Sequence, residues 1–345
     1  MGVNLRPLLI REEISIPDLK GKVIAFDAFN MLFQFLSNIR SPDGSLLTNK
    51  KGQVTSHLIG LFSRTTRFML EGIKPVFVFD GESSPLKNEE IKKRQAAKKE
   101  AKKQYDDALA REDTVEMKKY AARTTVLTKE MCDHAKQLLT LLGLPVIQAP
   151  SEGEAQAAHL TNTGQAYAVG SQDYDSLLFG ATNLIQNLSI AGRRKKMNAQ
   201  TTIIVKPQQL NLEQNLTHLG ITREQLIALA ILVGTDFSPK GIKGIGPKTA
   251  LKLIKEQKDD FATVFDKVNW STHVSTPWKD IFELFTKTPV HTNITISFGP
   301  IDYGRLREFL IQEHDFSVER VENTFKELQN TTTGRTQKTL SNFFT

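Results

Sequence analysis

The chain has 345 residues, 39% of them hydrophobic and 24% charged, which is enough apolar material for a core and excludes wholesale disorder. Lys and Arg number 45 against 38 Asp and Glu, a formal net charge of +7 that points to an anionic partner. The single cysteine, Cys132, excludes an internal disulfide and any multi-cysteine zinc site, and no apolar run is long enough to cross a bilayer. Residues 1–22 carry Arg6, Arg11, Glu12 and Glu13 and lack the apolar segment of a signal peptide, so an intracellular protein with no membrane partner is expected.

In chain order, Val23-Ile24-Ala25-Phe26 ends at Asp27, and Val76-Phe77-Val78-Phe79 ends at Asp80. Both read as buried strands, with an amphipathic helix between them from about Thr55 to Glu71. This is the grammar of a parallel sheet. From about Pro85 to Cys132 strand-like runs disappear and helix formers dominate, with a basic stretch that includes Lys92, Lys93, Lys98, Lys99, Lys102 and Lys103. An insertion of ~50 residues between two strands exceeds an ordinary connection and marks a functional element. Pro145–Ile147 and Ala166–Gly170 are further strand candidates. Leu184–Ile190 and Thr201–Val205 read as a hairpin around Arg193-Arg194-Lys195-Lys196, giving an α/β fold with a mixed, largely parallel sheet. The Thr-, Asn- and Gly-rich stretch 329–336 reads as a flexible linker.

Carboxylates recur at equivalent points. Asp27 and Asp80 end strands, Asp173 and Asp175 follow another, and Asp236 closes the run Ile231–Thr235. Glu152 and Glu154 lie where Ser151 is expected to cap a helix. Ligands of open parallel sheets bind beyond the carboxyl ends of the strands, so these acids are expected to share one edge. Two unit charges 4 Å apart at an effective dielectric of ~20 interact by ~4 kcal/mol, so such a cluster requires protons or cations. Oxygen-only donors select hard ions such as Mg²⁺ or Mn²⁺. Two ions ~3.5–4 Å apart suit phosphodiester hydrolysis.

The runs Phe26-Asp27-Ala28, Val78-Phe79-Asp80-Gly81, Ala149–Ala155, Ser171-Gln172-Asp173-Tyr174-Asp175 and Gly234-Thr235-Asp236-Phe237 resemble, in order, the acidic blocks of the flap endonucleases, structure-specific 5′ nucleases related to the XPG repair nuclease. The resemblance starts at Met1 and covers the chain. It implies a PIN-like 5′ nuclease domain over residues 1–328, with an N-terminal region to about 84 and a helical arch at about 85–132. An internal region to about 260 and a helical part at 261–328 complete it. It also implies Mg²⁺-dependent cleavage of 5′-flap DNA near the duplex junction, with 5′–3′ exonuclease activity, in Okazaki-fragment maturation and long-patch base-excision repair.

By resemblance, Asp27, Asp80, Glu152 and Glu154 are ligands of a first Mg²⁺, for which Mn²⁺ can substitute, and Asp173, Asp175 and Asp236 of a second, with Glu152 shared. Lys87 and Arg94 match the arch-base residues that reach the scissile phosphate. Gly2 matches a residue packed beside the active site once Met1 is removed. Phe33 stands where relatives stack an aromatic on a base. Arg40, Thr55 and Arg64 match positions near the duplex junction, and Lys93 belongs to the basic arch. Where some relatives carry a run of acids, this chain has Asn49-Lys50-Lys51-Gly52-Gln53, which leaves 3′-flap handling open.

Gly241-Ile242-Lys243-Gly244-Ile245-Gly246-Pro247-Lys248 reads as a helix–hairpin–helix, or helix–two-turn–helix, phosphate cradle, with Lys248, Lys252 and Lys255 on one face. Contacts of this kind carry no base sequence. The resemblance adds a K⁺ held by the carbonyls of Gly241, Ile242 and Ile245.

The segment 337–344 places Gln337, Leu340, Phe343 and Phe344 as a one-turn apolar plug with a flanking amide. It resembles the box that binds the sliding clamp, proliferating cell nuclear antigen. With only Thr345 beyond it and no basic import tail, an archaeal source, cytoplasmic and monomeric apart from the clamp, is expected. The alternatives left open are a related 5′ nuclease (an exonuclease or junction resolvase), a PIN-type ribonuclease and a non-catalytic clamp-binding DNA adaptor.

Overall fold

A computed structural model describes residues 3–341 except 83, 112, 122, 123, 196–201 and 240; side chains of 88–90, 114, 118, 193–195, 202, 203 and 332–341 lie outside the description. A seven-stranded sheet runs through its centre. Its strands are β1 (Glu12–Glu13), β2 (Val23–Asp27), β3 (Lys74–Phe79), β4 (Val146–Gln148), β5 (Ala168–Gly170), β6 (Asn183–Gln186) and β9 (Gln208–Asn211), in the order β1-β9-β6-β5-β2-β3-β4. The five strands from β6 to β4 are parallel, and β9 and β1 close one edge antiparallel. β7 (Gly192–Lys195) and β8 (Thr202–Val205) form a separate antiparallel ribbon.

Strand alternation feeds two cores, as expected of parallel strands buried on both faces. Ala25, Val76, Val78 and Val169 point to one. There they meet α6 (Gly153–Asn162) and the apolar α9 (Arg223–Val233). Ile24, Phe26, Phe77 and Phe79 point to the other, against α1 (Ala28–Asn38), α2 (Ser56–Leu70) and α5 (Lys129–Leu141). The Phe26 ring stacks 5.0 Å from Phe68 and 5.5 Å from Phe77. Phe26 faces Gly170 across β2 and β5, where an added Cβ would come within 2.6 Å of the ring.

The connections define the ligand crevice. From β2 the chain moves outward to β3 and then β4, returns through α6 to β5 on the other side of β2, and continues to β6. The order reverses between β2 and β5, and the crevice beyond their carboxyl ends is where such sheets bind ligands. Between β3 and α5 lie α3 (Asn88–Ala110) and α4 (Thr114–Ala121), packed on each other with Ala101, Ala108, Met117 and Ala121 buried. Beyond α9, α10 (Pro247–Gln257) packs on α9, and α15 (Val318–Ser341) packs on α2.

Four sequence expectations are corrected. The hairpin pairs 192–195 with 202–205, so Arg193, Arg194 and Lys195 lie in a strand, while Asn183–Gln186 joins the main sheet. The arch ends before Thr128, because α5 buries Cys132, Ala135, Leu138 and Leu139 in the core. The N-cap of α6 is Glu152, not Ser151, whose hydroxyl donates to the Glu82 carbonyl at 3.3 Å. Residues 329–336 continue α15 as helix: the apolar face of Val321, Phe325 and Leu328 anchors the preceding turns, and no proline interrupts them.

Candidate active site

All seven predicted carboxylates converge on this crevice, each delivered by an element end. Asp27 is the last residue of β2 and the N-cap of α1, where its Oδ1 accepts from the Asn30 amide at 3.0 Å. Asp80 follows β3 and accepts from the backbone N–H of Gly153 at 2.7 Å. An added Cβ on Gly153 would stand 2.6 Å from that same Asp80 Oδ1, so glycine is what lets a carboxylate sit on the start of α6. Glu152 occupies the N-cap position of α6 without a side-chain capping bond, and Glu154 in its first turn accepts from the Ser176 hydroxyl at 3.2 Å.

Asp173 lies in the turn after β5, shaped by Ser171 Oγ accepting from the Asp173 amide at 3.3 Å and by Gln186 donating to the Gln172 carbonyl at 2.7 Å. Asp175 begins the short helix α7 (Asp175–Leu178) and accepts from the Val3 amide at 3.2 Å, which ties the N-terminal segment to the site. Asp236 stands in the turn after α9, closed by a bridge between Thr235 and Ser238.

The cluster is buried and mutually repulsive. Burial, then Asp80, pushes Asp27 up to about 8. Burial, then Glu152, pushes Asp80 to about 6. Burial, then Asp236, pushes Asp175 to about 7. Glu154 is held well above the carboxylate range by burial and by Asp175.

Two cations from the start of the arch answer this charge. The Lys87 ammonium donates to Glu152 Oε2, and the Arg94 guanidinium lies 3.1 Å from Asp236 Oδ2. Burial works against the charge on Lys87, but attraction to Glu152, Asp80 and Glu154 outweighs it and raises its pKa. The Phe237 ring centroid is 5.1 Å from the same ammonium.

The donor set fits hard divalent cations. It consists of carboxylate oxygens, and Glu152 Oε1 is buried with no hydrogen-bond partner among the described residues. Such an oxygen is costly unless a cation or water meets it.

The remaining predicted residues spread over the surrounding surface. Phe33 is half-buried under the arch, with the Lys98 ammonium 5.2 Å above its ring, so it is not a core phenylalanine. Arg40 donates to the Gly44 carbonyl at 2.8 Å and to Thr125 Oγ1 at 2.6 Å, tying the segment after α1 to the end of the arch. Arg64 donates to the Ala191 carbonyl at 3.2 Å, beside the β7–β8 ribbon. Thr55 is buried just before α2, and its hydroxyl donates inward to the Leu47 carbonyl at 3.3 Å.

Lys92, Lys93, Lys99, Lys102 and Lys103 are exposed on α3, and Lys50 pairs with Asp315 at 3.9 Å near exposed Lys51. Lys243, Lys248, Lys252 and Lys255 are exposed around the turn between α9 and α10. Gly246 is the N-cap of α10, and both it and Gly244 have open space where a Cβ would go. Gly241 packs on α9, and Ile242 N–H donates to the Leu232 carbonyl at 2.9 Å. The Ile242 carbonyl accepts from Ile245 N–H at 3.0 Å. Gly2, Phe343 and Phe344 lie outside the described residues, as do the side chains of Gln337 and Leu340. Sequence reasoning misses Asn30 and Gly153; the only signal for Asn30 is its place three residues after a capping aspartate.

Residues 1–101 match the XPG N-terminal domain and residues 143–236 the XPG I-region. The chain is 46% identical over 331 residues to flap endonuclease 1 of Aeropyrum pernix, covering 95% of this chain and 94% of that one. It is 45% identical to flap endonuclease 1 of Pyrococcus furiosus over 344 residues, 100% of this chain and 99% of the other. Among solved structures, flap endonuclease-1 from Methanococcus jannaschii superposes with a TM-score of 0.75 at 36% identity, covering 97% of this chain and all of that one. The catalytic core of Rad2 in complex with DNA substrate shares the fold, with a TM-score of 0.67, 23% identity and coverage of 92% and 96%. With its acids gathered at the sheet's switch point and its whole length aligned to these relatives, the chain belongs to the flap endonucleases, metal-dependent nucleases of the XPG family.

Proposed function

We propose that this protein hydrolyses one phosphodiester of branched DNA at the base of a 5′ flap, using two Mg²⁺ or Mn²⁺ ions. The observation that carries the reading is the meeting of seven carboxylates from separate segments with Lys87 and Arg94 of the arch base. Asp27, Asp80, Glu152 and Glu154 would hold the first ion and Asp173, Asp175 and Asp236 the second, with Glu152 shared. Ions bound there supply a hydroxide near neutral pH and stabilise the leaving oxygen.

The chain's own groups orient the reacting phosphate. Lys87 and Arg94 exchange their carboxylate partners for the scissile phosphate and stabilise its developing charge. The amide-lined start of α10 and its lysines grip the duplex backbone, so selection follows DNA shape. Lysines of α3 draw in the single-stranded flap, and Phe33 stacks on a base beside the cut. The same site trims 5′ ends as an exonuclease. The segment 337–344 recruits the protein to the sliding clamp, and the turn at 241–245 takes a K⁺.

Cleavage of a 5′-labelled double-flap DNA in Mg²⁺, in EDTA, and by Asp173→Asn tests the reading. Incision at the junction that both EDTA and the substitution abolish is the expected result. Intact DNA with tight structure-selective binding would instead mark a non-catalytic adaptor.

A further inference from the structure

We infer that Asn30 is a positioning residue that sets the spacing between the two carboxylate groups of the site; this rests on the metal-dependent nuclease reading. Asn30 touches both sides of the switch point. Its backbone N–H donates to Asp27 Oδ1 at 3.0 Å, and its side-chain Nδ2 donates to Asp173 Oδ2 at 2.8 Å. Asp27 ends β2 and Asp173 follows β5, so one residue bridges acids delivered by two strands, 143 residues away in sequence from the second. These acids repel each other, and Asn30 contributes a backbone donor to one and a side-chain donor to the other without adding charge.

The local geometry explains why asparagine serves. Asn30 is the third residue of α1 after its cap. In the common capping arrangement a longer Glu or Gln at this place reaches back to the cap backbone. Here the shorter side chain reaches across to Asp173 instead. An ionised carboxylate only accepts hydrogen bonds, so the amide nitrogen must face it. Flanking residues hold the turn of α1 still: the Phe29 ring meets Phe79 edge-on at 6.1 Å, and Met31 is buried. An aspartate at this place would put a third negative charge between Asp27 and Asp173. An apolar residue would remove the side-chain donor that Asp173 Oδ2 accepts from.

Partners that orient metal ligands typically contribute ~10–100-fold to metal affinity. The test compares wild type, Asn30→Ala and the more nearly isosteric Asn30→Leu. Mn²⁺ affinity is measured by calorimetry without DNA, flap-DNA affinity in EDTA, and the melting temperature in EDTA. The expected result is a Mn²⁺ dissociation constant raised ~10-fold or more, with DNA affinity and melting temperature close to wild type. A folded variant that binds Mn²⁺ as tightly as wild type overturns the inference. So does a parallel loss of metal affinity, DNA affinity and melting temperature, which would make Asn30 a purely structural residue. Wild type that binds Mn²⁺ without cutting flap DNA would remove the nuclease reading, while the metal affinities of the two variants would still decide the role of Asn30.

Discussion

The Lys87 ammonium donates a hydrogen bond to Glu152 Oε2, joining the first turn of the arch to the N-cap of α6. Seven residues along, Arg94 repeats the contact with Asp236 at 3.1 Å. The arch base is therefore ion-paired to both flanks of the acid pocket. The same two side chains are the ones proposed to meet the scissile phosphate, so substrate would have to draw them from these carboxylates.

Replacing Lys87 by Ala should separate these roles. Loss of a preorganised charge donor costs ~10²–10³ in rate, so single-turnover cleavage should fall by about that factor while flap-DNA affinity changes little. Without DNA, the same variant should bind Mn²⁺ more tightly, because the ion no longer competes with an ammonium for Glu152. Unchanged single-turnover rates with weakened DNA binding would place Lys87 in the grip on the substrate and not in the chemistry.

Metal removal should make stability depend on pH in a defined direction. In the fold, Asp27 is pushed up to about 8, Asp175 to about 7 and Asp80 to about 6, all above the ordinary 3.8. The folded state then binds more protons than the unfolded chain between pH ~4 and ~8, so stability falls as pH rises through that window. In EDTA the melting temperature should drop from pH 6 to pH 8.5. Mg²⁺ should raise it more at pH 8.5, where no protons compete. Equal Mg²⁺ shifts at both values would mean that the acids are already ionised in the apo fold.

Two glycines should respond in opposite ways. Gly153→Ala would drive a methyl to 2.6 Å from Asp80 Oδ1 and displace it from the start of α6. A loss of ~1–3 kcal/mol is expected from such crowding, together with weaker Mn²⁺ binding. Gly246→Ala meets open space at an ordinary φ of −88°, so stability should hold. If the duplex backbone approaches there as proposed, DNA affinity should fall. Urea melts and DNA titrations of the two variants distinguish these patterns.

Asp27, Asp80 and Asp173 were legible because each follows a strand-like run, and a charge at the end of a buried strand marks the sheet edge; Glu152, Glu154 and Asp236 follow a turn or a helix instead. The bridge between Asp27 and Asp173 was not legible. Asn30 is an ordinary polar helix residue until β5 brings Asp173 beside it, a contact set by topology and not by local pattern. β9 also escaped notice: Gln208-Gln209-Leu210-Asn211 has one buried apolar residue and owes its strand conformation to pairing with β6. The arch boundary failed for the converse reason. The limit at about Cys132 takes in the polar start of α5, Lys129 and Glu130, yet the buried stripe of that helix belongs to the core.

The acid limb of stability should come from a different place. His57 is fully buried, with neither ring nitrogen partnered among the described residues, and it lies near His134 and His314. The His134 and His314 rings are 4.8 Å apart, and His314 Nδ1 is 2.7 Å from the Phe309 carbonyl. Burial, then His134 and His314, pushes His57 down to about 3, and burial also lowers His314. Unfolded imidazoles take up protons near pH 6.5 while His57 stays neutral in the fold. The unfolded state thus binds more protons from pH ~6.5 down to ~3, and stability is lost as pH falls through that range. His57→Phe removes this group while keeping a ring of similar size. Between pH 7 and 4.5, in EDTA, its melting temperature should fall less than that of wild type. Because the metal-site acids favour low pH over this interval, the comparison must be the difference between the two proteins at each pH. A constant difference would mean that His57 titrates in the fold as it does in the unfolded chain, with a bound water or a shifted ring partnering its nitrogens.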